Sequence, residues 1–441
     1  MNACTPTRIA ITLLLLVPAL ALAAPPTNEK DPLEQGLAAY KAGHYQEALD
    51  LWRPLAAQGN PEAQFRLGYM YANGLGVALD QGLALTWYRK AAELGHAKAQ
   101  YNVGIAYLQG TGVGKDPKEA STWLKRSASQ GWAPAQYALG LLCMQGMGVE
   151  KNPEEAVAWF TKAADQGHPD AQYALAMLYL EGQGVKKDSG HAIKLLRESA
   201  KNGSLEAIYR LGTLNPARGL KLDSPEALAK VRQAAELGYV QAEYDLGKAY
   251  ANGEAGLEAD KGEAAAWFRK AADQGMARAQ YDLGWLYENG QGVAKDQAKA
   301  VELYTKAATQ GFARAQYQLG MHYVSGLGVE KDANKAFELI SKAAGQGVVE
   351  AEYAVGVMYD NGDGVQQDYS KAMEWYKKAA TDGNATAMFA AGNLYANGYG
   401  VPKDLQEAKK WYCRGARLGL PQAKQMLGDN VDVEKECKGI R

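Results

Sequence analysis

The stretch Ala279–Gly311, AQYDLGWLYENGQGVAKDQAKAVELYTKAATQG, is one copy of a unit that recurs along most of the chain. Its sixth residue, Gly284, returns as Gly68, Gly104, Gly140, Gly212, Gly247, Gly320, Gly356, Gly392 and Gly428, with Ala176 in the remaining slot. The spacing is 36 residues, apart from one step of 35 (212 to 247) and one of 37 (247 to 284). A sustained period of this size predicts a solenoid, in which each supersecondary unit buries its apolar face against its neighbours.

Within the unit, Ala279, Leu283, Leu286 and Tyr287 fall at i, i+4, i+7 and i+8, the spacing of an amphipathic helix. A glycine inside that helix costs about 1 kcal/mol relative to alanine. The recurrence of Gly284 therefore implies that a neighbouring helix packs against the backbone there. The loop Asn289-Gly290-Gln291-Gly292-Val293 stops the helix, with two glycines able to take positive φ and Val293 turned inward. Asp296 is placed to cap a second helix, and its slot holds Asp80, Asp116, Asn152, Asp188, Ser224, Asp260, Asp332, Asp368 and Asp404 elsewhere. That helix, Gln297 to Gln310, buries Ala300, Leu303, Tyr304, Ala307 and Ala308. It closes on Gly311, a glycine repeated in all eleven units from Gly59 to Gly419. Period, propensity and both helix ends agree on helix-loop-helix.

These residues resemble the Sel1-like repeat, a relative of the tetratricopeptide repeat with a longer Gly-x-Gly-Val loop. AKAQYNVGIAYLQGTGV and WYKKAATDGNATAMFAAGNLYANGYGV follow that pattern closely, and the resemblance extends from about Pro61 to Gly428. It implies an all-α fold, a right-handed α-solenoid superhelix used for protein contacts.

Composition agrees with an ordered scaffold: 47% hydrophobic and 22% charged residues exclude a disordered chain. A formal net charge of −1 leaves no electrostatic footprint for nucleic acid.

Taken in order, Met1 to Ala23 reads as a secretory signal: Arg8 as n-region, Ile9 to Leu16 as apolar core, and Ala21-Leu22-Ala23 before the cut. An uncleaved anchor is disfavoured by the short run and by Pro18, and Cys4 lies too early to be a lipoprotein cysteine. Residues 24–32 form a polar linker. Residues 33–60 form a capping unit with the tight Ala42-Gly43-His44 turn of an ordinary tetratricopeptide hairpin. Residues 61–420 hold ten Sel1-like units, and 421–441 a last helix, Pro421 to about Val431, with its tail. The pattern breaks at Asn215 to Leu222, where Asn-Pro-Ala-Arg-Gly-Leu-Lys-Leu replaces the glycine loop, and Asn252 to Leu257 carries an extra residue. Drift in a tolerant loop and a functional kink both account for the break.

Of three cysteines beyond the signal, Cys143 replaces core tyrosines such as Tyr107 and Tyr287. Cys413 stands in the slot of Arg89, Lys125, Arg269 and Lys377, which faces solvent. In an oxidising compartment this predicts a Cys413–Cys437 disulfide pinning the C-terminal cap.

Chemistry is sparse. Gly110 to Lys115 imitates a phosphate loop but lacks its spacing, and Asp116 follows the lysine. Asn361-Gly362-Asp363-Gly364 imitates a calcium loop with Tyr359 in the first ligand position. The histidines 44, 96, 168, 191 and 322 show no metal spacing, and His96 and His168 occupy equivalent turns. Neither Ser-x-x-Lys nor Gly-x-Ser-x-Gly occurs, so nothing supports the β-lactam chemistry linked to some relatives. No catalytic residue, cofactor or metal is expected.

A partner-binding role is. An aromatic stripe runs along the first helices from Phe65 to Phe389, at the spacing expected of inter-repeat core. The residue after the repeat glycine varies far more: Tyr69, Ile105, Leu141, Met177, Thr213, Lys248, Trp285, Met321, Val357, Asn393. If that slot lines the groove, Tyr69, Ile105, Leu141 and Met177, or Trp285 and Met321, anchor a protein partner. The resemblance implies three candidate roles in the periplasm. The first is an immunity-type inhibitor of a secreted lipase or phospholipase effector. The others are a scaffold for envelope assembly, such as exopolysaccharide export or the flagellar motor, and a signalling regulator.

Overall fold

The computed structural model describes residues 31–215, 219–220, 225–428 and 431–440. The expected signal peptide and most of the expected linker lie outside these residues. Among the described residues, 24 helices form eleven antiparallel pairs followed by two short C-terminal helices, an all-α solenoid. The chain divides into two compact units, one up to Lys162 and one from Ala163, with the division inside the helix Pro153–Asp165.

The first unit begins one residue before the expected end of the linker. Asp31 accepts from the Leu33 N–H and caps the helix Pro32–Lys41, with Pro32 at its first position. Trp52 is 1% exposed and fills the core of this capping pair with Leu49, Leu67 and Met70. Most later helices are thirteen residues long and end alike. Each first helix of a regular pair stops on a left-handed glycine, such as Gly74 (φ 65°) or Gly290 (φ 66°). Each second helix starts on the expected cap, with Asp80 accepting from Leu83 N–H and Asn152 from Glu155 N–H. Ser224 lies outside the described residues.

The two kinds of recurring glycine have different causes. At the helix glycine, a Cβ would meet a side chain of the second helix in the same pair: Tyr88 at 2.6 Å from Gly68, Phe160 at 2.5 Å from Gly140, Ile340 at 2.5 Å from Gly320. Gly36 plays the same part under Trp52, at 2.3 Å. The second loop glycine instead lies against backbone, the first turn of the preceding pair's second helix. A Cβ at Gly112 would fall 2.5 Å from the Gln81 carbonyl oxygen, and one at Gly364 2.0 Å from that of Ala333. The pitch from unit to unit is thus set by backbone seated on backbone.

A buried glutamine completes the joint. Gln64, Gln100 and Gln136 of the first compact unit, and Gln172, Gln280 and Gln316 of the second, donate Nε2 to the carbonyl eight residues back, as in Gln316 to Ala308 at 3.3 Å. The carbonyls of Gln100, Gln172, Gln280 and Gln316 accept in turn from a side chain 30 residues on, as in Gln130 to Gln100 at 2.7 Å and Gln346 to Gln316 at 2.8 Å. Buried amides satisfied at both ends fix the register of packing.

The irregular pair keeps both helices, Leu205–Thr213 and Pro225–Glu236, but its first helix is four residues shorter than its neighbours. Two-residue strands, Leu214–Asn215 and Gly219–Leu220, pair antiparallel where the glycine loop would stand. The rest of the 215–222 loop lies outside the described residues. In the loop of the next pair, Ala255 takes φ 57° and Gly256 meets nothing within 4 Å, so the extra residue there removes the backbone-to-backbone seat.

The C-terminus departs from expectation. The helix from Pro421 ends at Leu427, not near Val431, because Gly428 takes φ 129° and ψ 140°, outside any helical region. A further turn, Val433–Glu436, brings Cys437 to a disulfide with Cys413, Cα atoms 5.6 Å apart. Cys413 is fully buried rather than solvent-facing, since the tail covers it. Arg417 donates to the Cys437 carbonyl at 2.6 Å and to that of Ile440, and Lys409 pairs with Glu436.

Candidate partner-binding face

The second, fifth, sixth and ninth residues of each first helix share one face, and the structure leaves that face the most varied part of the unit. In the helix Ala313–Ser325 these are Arg314, Tyr317, Gln318 and Met321; in Ala277–Asn289 they are Arg278, Tyr281, Asp282 and Trp285. The ninth position is the variable slot. Tyr69 is 40% exposed, and Ile105, Leu141, Met177, Trp285 and Met321 are all half-buried. None of the six belongs to the sealed core.

Clefts bring some of them together. In the first compact unit, Tyr69 and Ile105 line one cleft of about 220 Å³. Beside it an aromatic recess of about 200 Å³ is formed by Tyr40, Trp52, Phe65 and Tyr69, with Arg66 and Lys98 at its edge. In the second unit Met321 and Val357 line an apolar groove of about 410 Å³ together with Tyr317, Tyr353 and Val324; Lys331 and Asp363 stand at its rim. Of its lining, Val324 is 44% exposed. Trp285 packs against the cluster around Phe268 and Leu283.

The aromatic stripe divides its role. Each ring is half-buried. One edge packs on the aromatic seated over the repeat glycine: Phe65 on Tyr88 at 5.7 Å, Tyr281 on Tyr304 at 5.6 Å, Tyr353 on Tyr376 at 5.8 Å between centroids. The other edge belongs to the face.

Between residues 205 and 318 the face is polar. Tyr209 donates to Asp245 at 2.5 Å, and Tyr244 donates to Asp282 at 2.9 Å, joining successive first helices. Burial pushes the Asp282 carboxyl above the usual range, while the Tyr244 hydroxyl and the cations Lys248, Arg314 and Arg278 oppose it. Below the face, Tyr304 donates to Glu288 at 2.6 Å, and His322 places Nε2 3.7 Å from the same carboxylate. Nδ1 of His322 meets the Leu327 carbonyl at 2.7 Å. Burial alone would lower the imidazole, but Glu288 and Leu327 reverse this and hold it above its ordinary value. Glu288 is held below the carboxylate range, by His322 foremost.

The residues set aside in the sequence take structural places. His96 and His168 both cap helices, accepting from Ala99 and Ala171 N–H. Gly110 is a helix end, and Asn361 donates to Asp363 at 3.1 Å. Cys143 is buried, its thiol pushed up to about 11. Among the described residues no three His, Cys, Asp or Glu side chains gather to hold a metal, and no helix is long and apolar enough to cross a membrane.

What sequence reasoning missed is the exchange at Glu352. The second compact unit there replaces the buried glutamine with a fully buried glutamate, whose Oε1 lies 3.0 Å from the half-exposed Lys378 Nζ. The signal was present in the repeat: AEYAVG stands where AQYQLG stands one unit earlier.

These features define a repeat scaffold with a constant core and a varied face. The chain belongs to the Sel1 repeat family. That repeat matches residues 61–96, 97–132, 133–168, 169–204, 240–276, 277–312, 313–348, 349–384 and 385–420. Nine of the ten expected units are matched; the tenth, 205–239, is the one with the hairpin. Among solved structures the chain is similar to a protective antigen of uropathogenic Escherichia coli displaying an SLR fold. That likeness has 34% identity and a TM-score of 0.62, covering 86% of this chain and 82% of that one. It is also similar to a Sel1 repeat protein from Oxalobacter formigenes, with 38% identity and a TM-score of 0.51 over 55% of this chain and 99% of that one. An immunity protein of Pseudomonas aeruginosa matches at 27% identity and a TM-score of 0.31, over 48% of this chain and 81% of that one. No curated protein matches the sequence.

Proposed function

We propose that the chain is a non-catalytic periplasmic protein that binds a protein partner through its first-helix face, and that it acts as an inhibitor neutralising a secreted lipase or phospholipase. The observation carrying the binding role is the apolar groove at Met321 and Val357, lined also by the exposed Val324. Tight interfaces are anchored where a few apolar or aromatic side chains enter such a cleft. The Cys413–Cys437 disulfide is in keeping with an oxidising compartment. The inhibitor role itself rests on the family resemblance.

A second reading, a multi-partner envelope scaffold or signalling regulator, draws support from the separate clefts. The Tyr69–Ile105 cleft belongs to one compact unit and the Met321–Val357 groove to the other. Affinity capture from periplasmic and envelope extracts, followed by mass spectrometry and an activity assay, separates the two. One stoichiometric enzyme silenced in the complex is the outcome expected of an inhibitor. Several envelope proteins with no enzyme among them overturn it in favour of the scaffold.

A further inference from the structure

His322 is a polar exception in a core slot. It is 3% exposed, and the same place, two residues after the repeat glycine, holds Met70, Leu142, Leu178, Leu286, Met358 and Leu394 in other pairs, all buried. Glu288 is a second exception: its slot holds apolar residues such as Leu108, Met144 and Val324, and Asp360 in one pair. The two meet across the joint between the units 277–312 and 313–348. Nε2 of His322 lies 3.7 Å from Glu288 Oε1, while Nδ1 meets the Leu327 carbonyl at 2.7 Å. Tyr304, fully buried over Gly284, donates to the other Glu288 oxygen at 2.6 Å and packs on the imidazole at 5.6 Å between centroids. The pair at Asp360 repeats half of this, with Tyr376 donating at 3.0 Å, but Leu394 stands in the histidine's slot.

Both acceptors call for an N–H on the side of the ring that faces them. A protonated imidazole has two and serves Leu327 and Glu288 together; the neutral ring has one and turns a lone pair on the other acceptor. The shorter contact keeps the N–H on Nδ1, so loss of the proton sets a bare Nε2 against the carboxylate. Glu288, whose side chain is 27% exposed, has a way out to water. Among the described residues Glu288 is the one charge acting on the ring; Lys295 acts on Glu288, and Tyr281 and Asp282 act on Tyr304. Lys335 of the following second helix is turned to Asp332 and the Tyr323 ring. Burial works against the charged imidazole, but Glu288 and Leu327 outweigh it and hold it above its ordinary value of about 6.5. The tie is therefore complete below that value and is lost as pH rises through the raised one.

From this geometry we infer that Glu288 and His322 form a proton-operated hinge between the units 277–312 and 313–348. With the ring charged, the two first helices and the loop at Leu327 are held in register; with the ring neutral, the Glu288 side of the joint opens. The varied residues Trp285 and Met321 stand on these same two helices, so their relative placement follows the proton. That last consequence rests on the partner-binding reading above; the hinge does not.

Hydrogen exchange read by mass spectrometry on the full chain, corrected for the intrinsic effect of pH on amide exchange, tests the hinge without any partner present. Protection of residues 284–290 and 320–328 is expected to fall at least tenfold between pH 6 and pH 9. In His322→Leu, which restores the residue common in that slot, protection should stay level across the range. It should also stay level in Glu288→Gln, because an amide can donate to the neutral ring and keep the joint closed. Protection that stays level in the unaltered protein, or that falls equally in either variant, overturns the inference. Nitrogen-15 resonances of labelled histidine give a second reading that needs no folded variant beyond the one used for assignment by subtraction. His322 is expected to titrate above about 6.5 with its remaining proton on Nδ1. Titration at or below that value, or a proton left on Nε2, overturns it as well. Failure of the partner-binding reading would leave each of these results unchanged.

Discussion

On the helix Ala313–Ser325, two faces lie back to back and follow opposite rules. Gln316, Leu319 and Gly320 point into the joint between units, and their counterparts four units earlier, Gln172, Leu175 and Ala176, are nearly the same residues. Arg314, Gln318 and Met321 point outward, and the counterparts there are Asp170, Ala174 and Met177. The inward set is tied by geometry, because Gln316 and Leu319 are buried, Ile340 sits against Gly320, and the Gln316 amide bonds both the Ala308 carbonyl and Gln346. The outward set is only partly covered by its own chain, Met321 resting one side on the cluster around Ile340 and Val355, and its exposed side is free to carry recognition. Stability and specificity are therefore carried by different slots of one repeat.

The comparison is broken most severely by placing a side chain where backbone seats on backbone. Gly364→Ala would put Cβ 2.0 Å from the Ala333 carbonyl oxygen at φ +69° and is expected to cost about 3 kcal/mol of unfolding free energy in urea denaturation. Gly383→Ala, at φ +90° with nothing within 4 Å, carries only the backbone penalty and should cost about 1 kcal/mol. Equal costs would show that the seat does not set the pitch.

Comparable in size is the effect of opening the C-terminal strap. Cys413→Ser with Cys437→Ser releases a link between residues 24 apart and should remove about 3 kcal/mol from the last pair. Hydrogen exchange should then rise in residues 405–440 and stay unchanged near the Met321 groove.

A sharper comparison comes from restoring the common residue at an inward slot. Glu352 has no hydrogen-bond donor on either carboxylate oxygen, and only Lys378 balances its charge. Glu352→Gln should stabilise the chain by about 1 kcal/mol, since the amide can donate to the carbonyl eight residues back as it does in other units. Destabilisation would show that the buried ion pair is worth more than the amide joint.

The smallest effect is on pH dependence. The folded pKa of His322 is raised and that of Glu288 lowered. The stabilisation from His322 is complete below its unfolded value of about 6.5 and is lost as pH rises through the raised folded value. That from Glu288 is complete above its unfolded value of about 4.3 and is lost as pH falls through the depressed folded value. Stability should therefore peak between the two, and in His322→Leu the decline above neutral pH should disappear from denaturation midpoints taken across pH 5–9.

Most of the framework was legible in the sequence because it repeats. Gly284, Asp296 and Gly311 each recur at a fixed place, and each has one local physical cause, a close packing approach, a cap or a left-handed turn. Long-range features were less legible. Cys413 stands in a slot that is exposed in other pairs, and only the fold-back of residues 433–440 buries it. The hairpin at Leu214–Leu220 has no counterpart elsewhere in the chain to read it against. The site was half legible: variation at the ninth position marked the face, but which of those residues share a cleft depends on packing between units.

The most direct test takes the captured partner and measures its Kd and the urea midpoint together for Met321→Glu and Val357→Asp. Residues of a binding face should lose at least tenfold in affinity while unfolding stability falls by no more than about 1 kcal/mol. Affinity unchanged alongside a loss of several kcal/mol would place both side chains in the core and contradict the division between inward and outward slots.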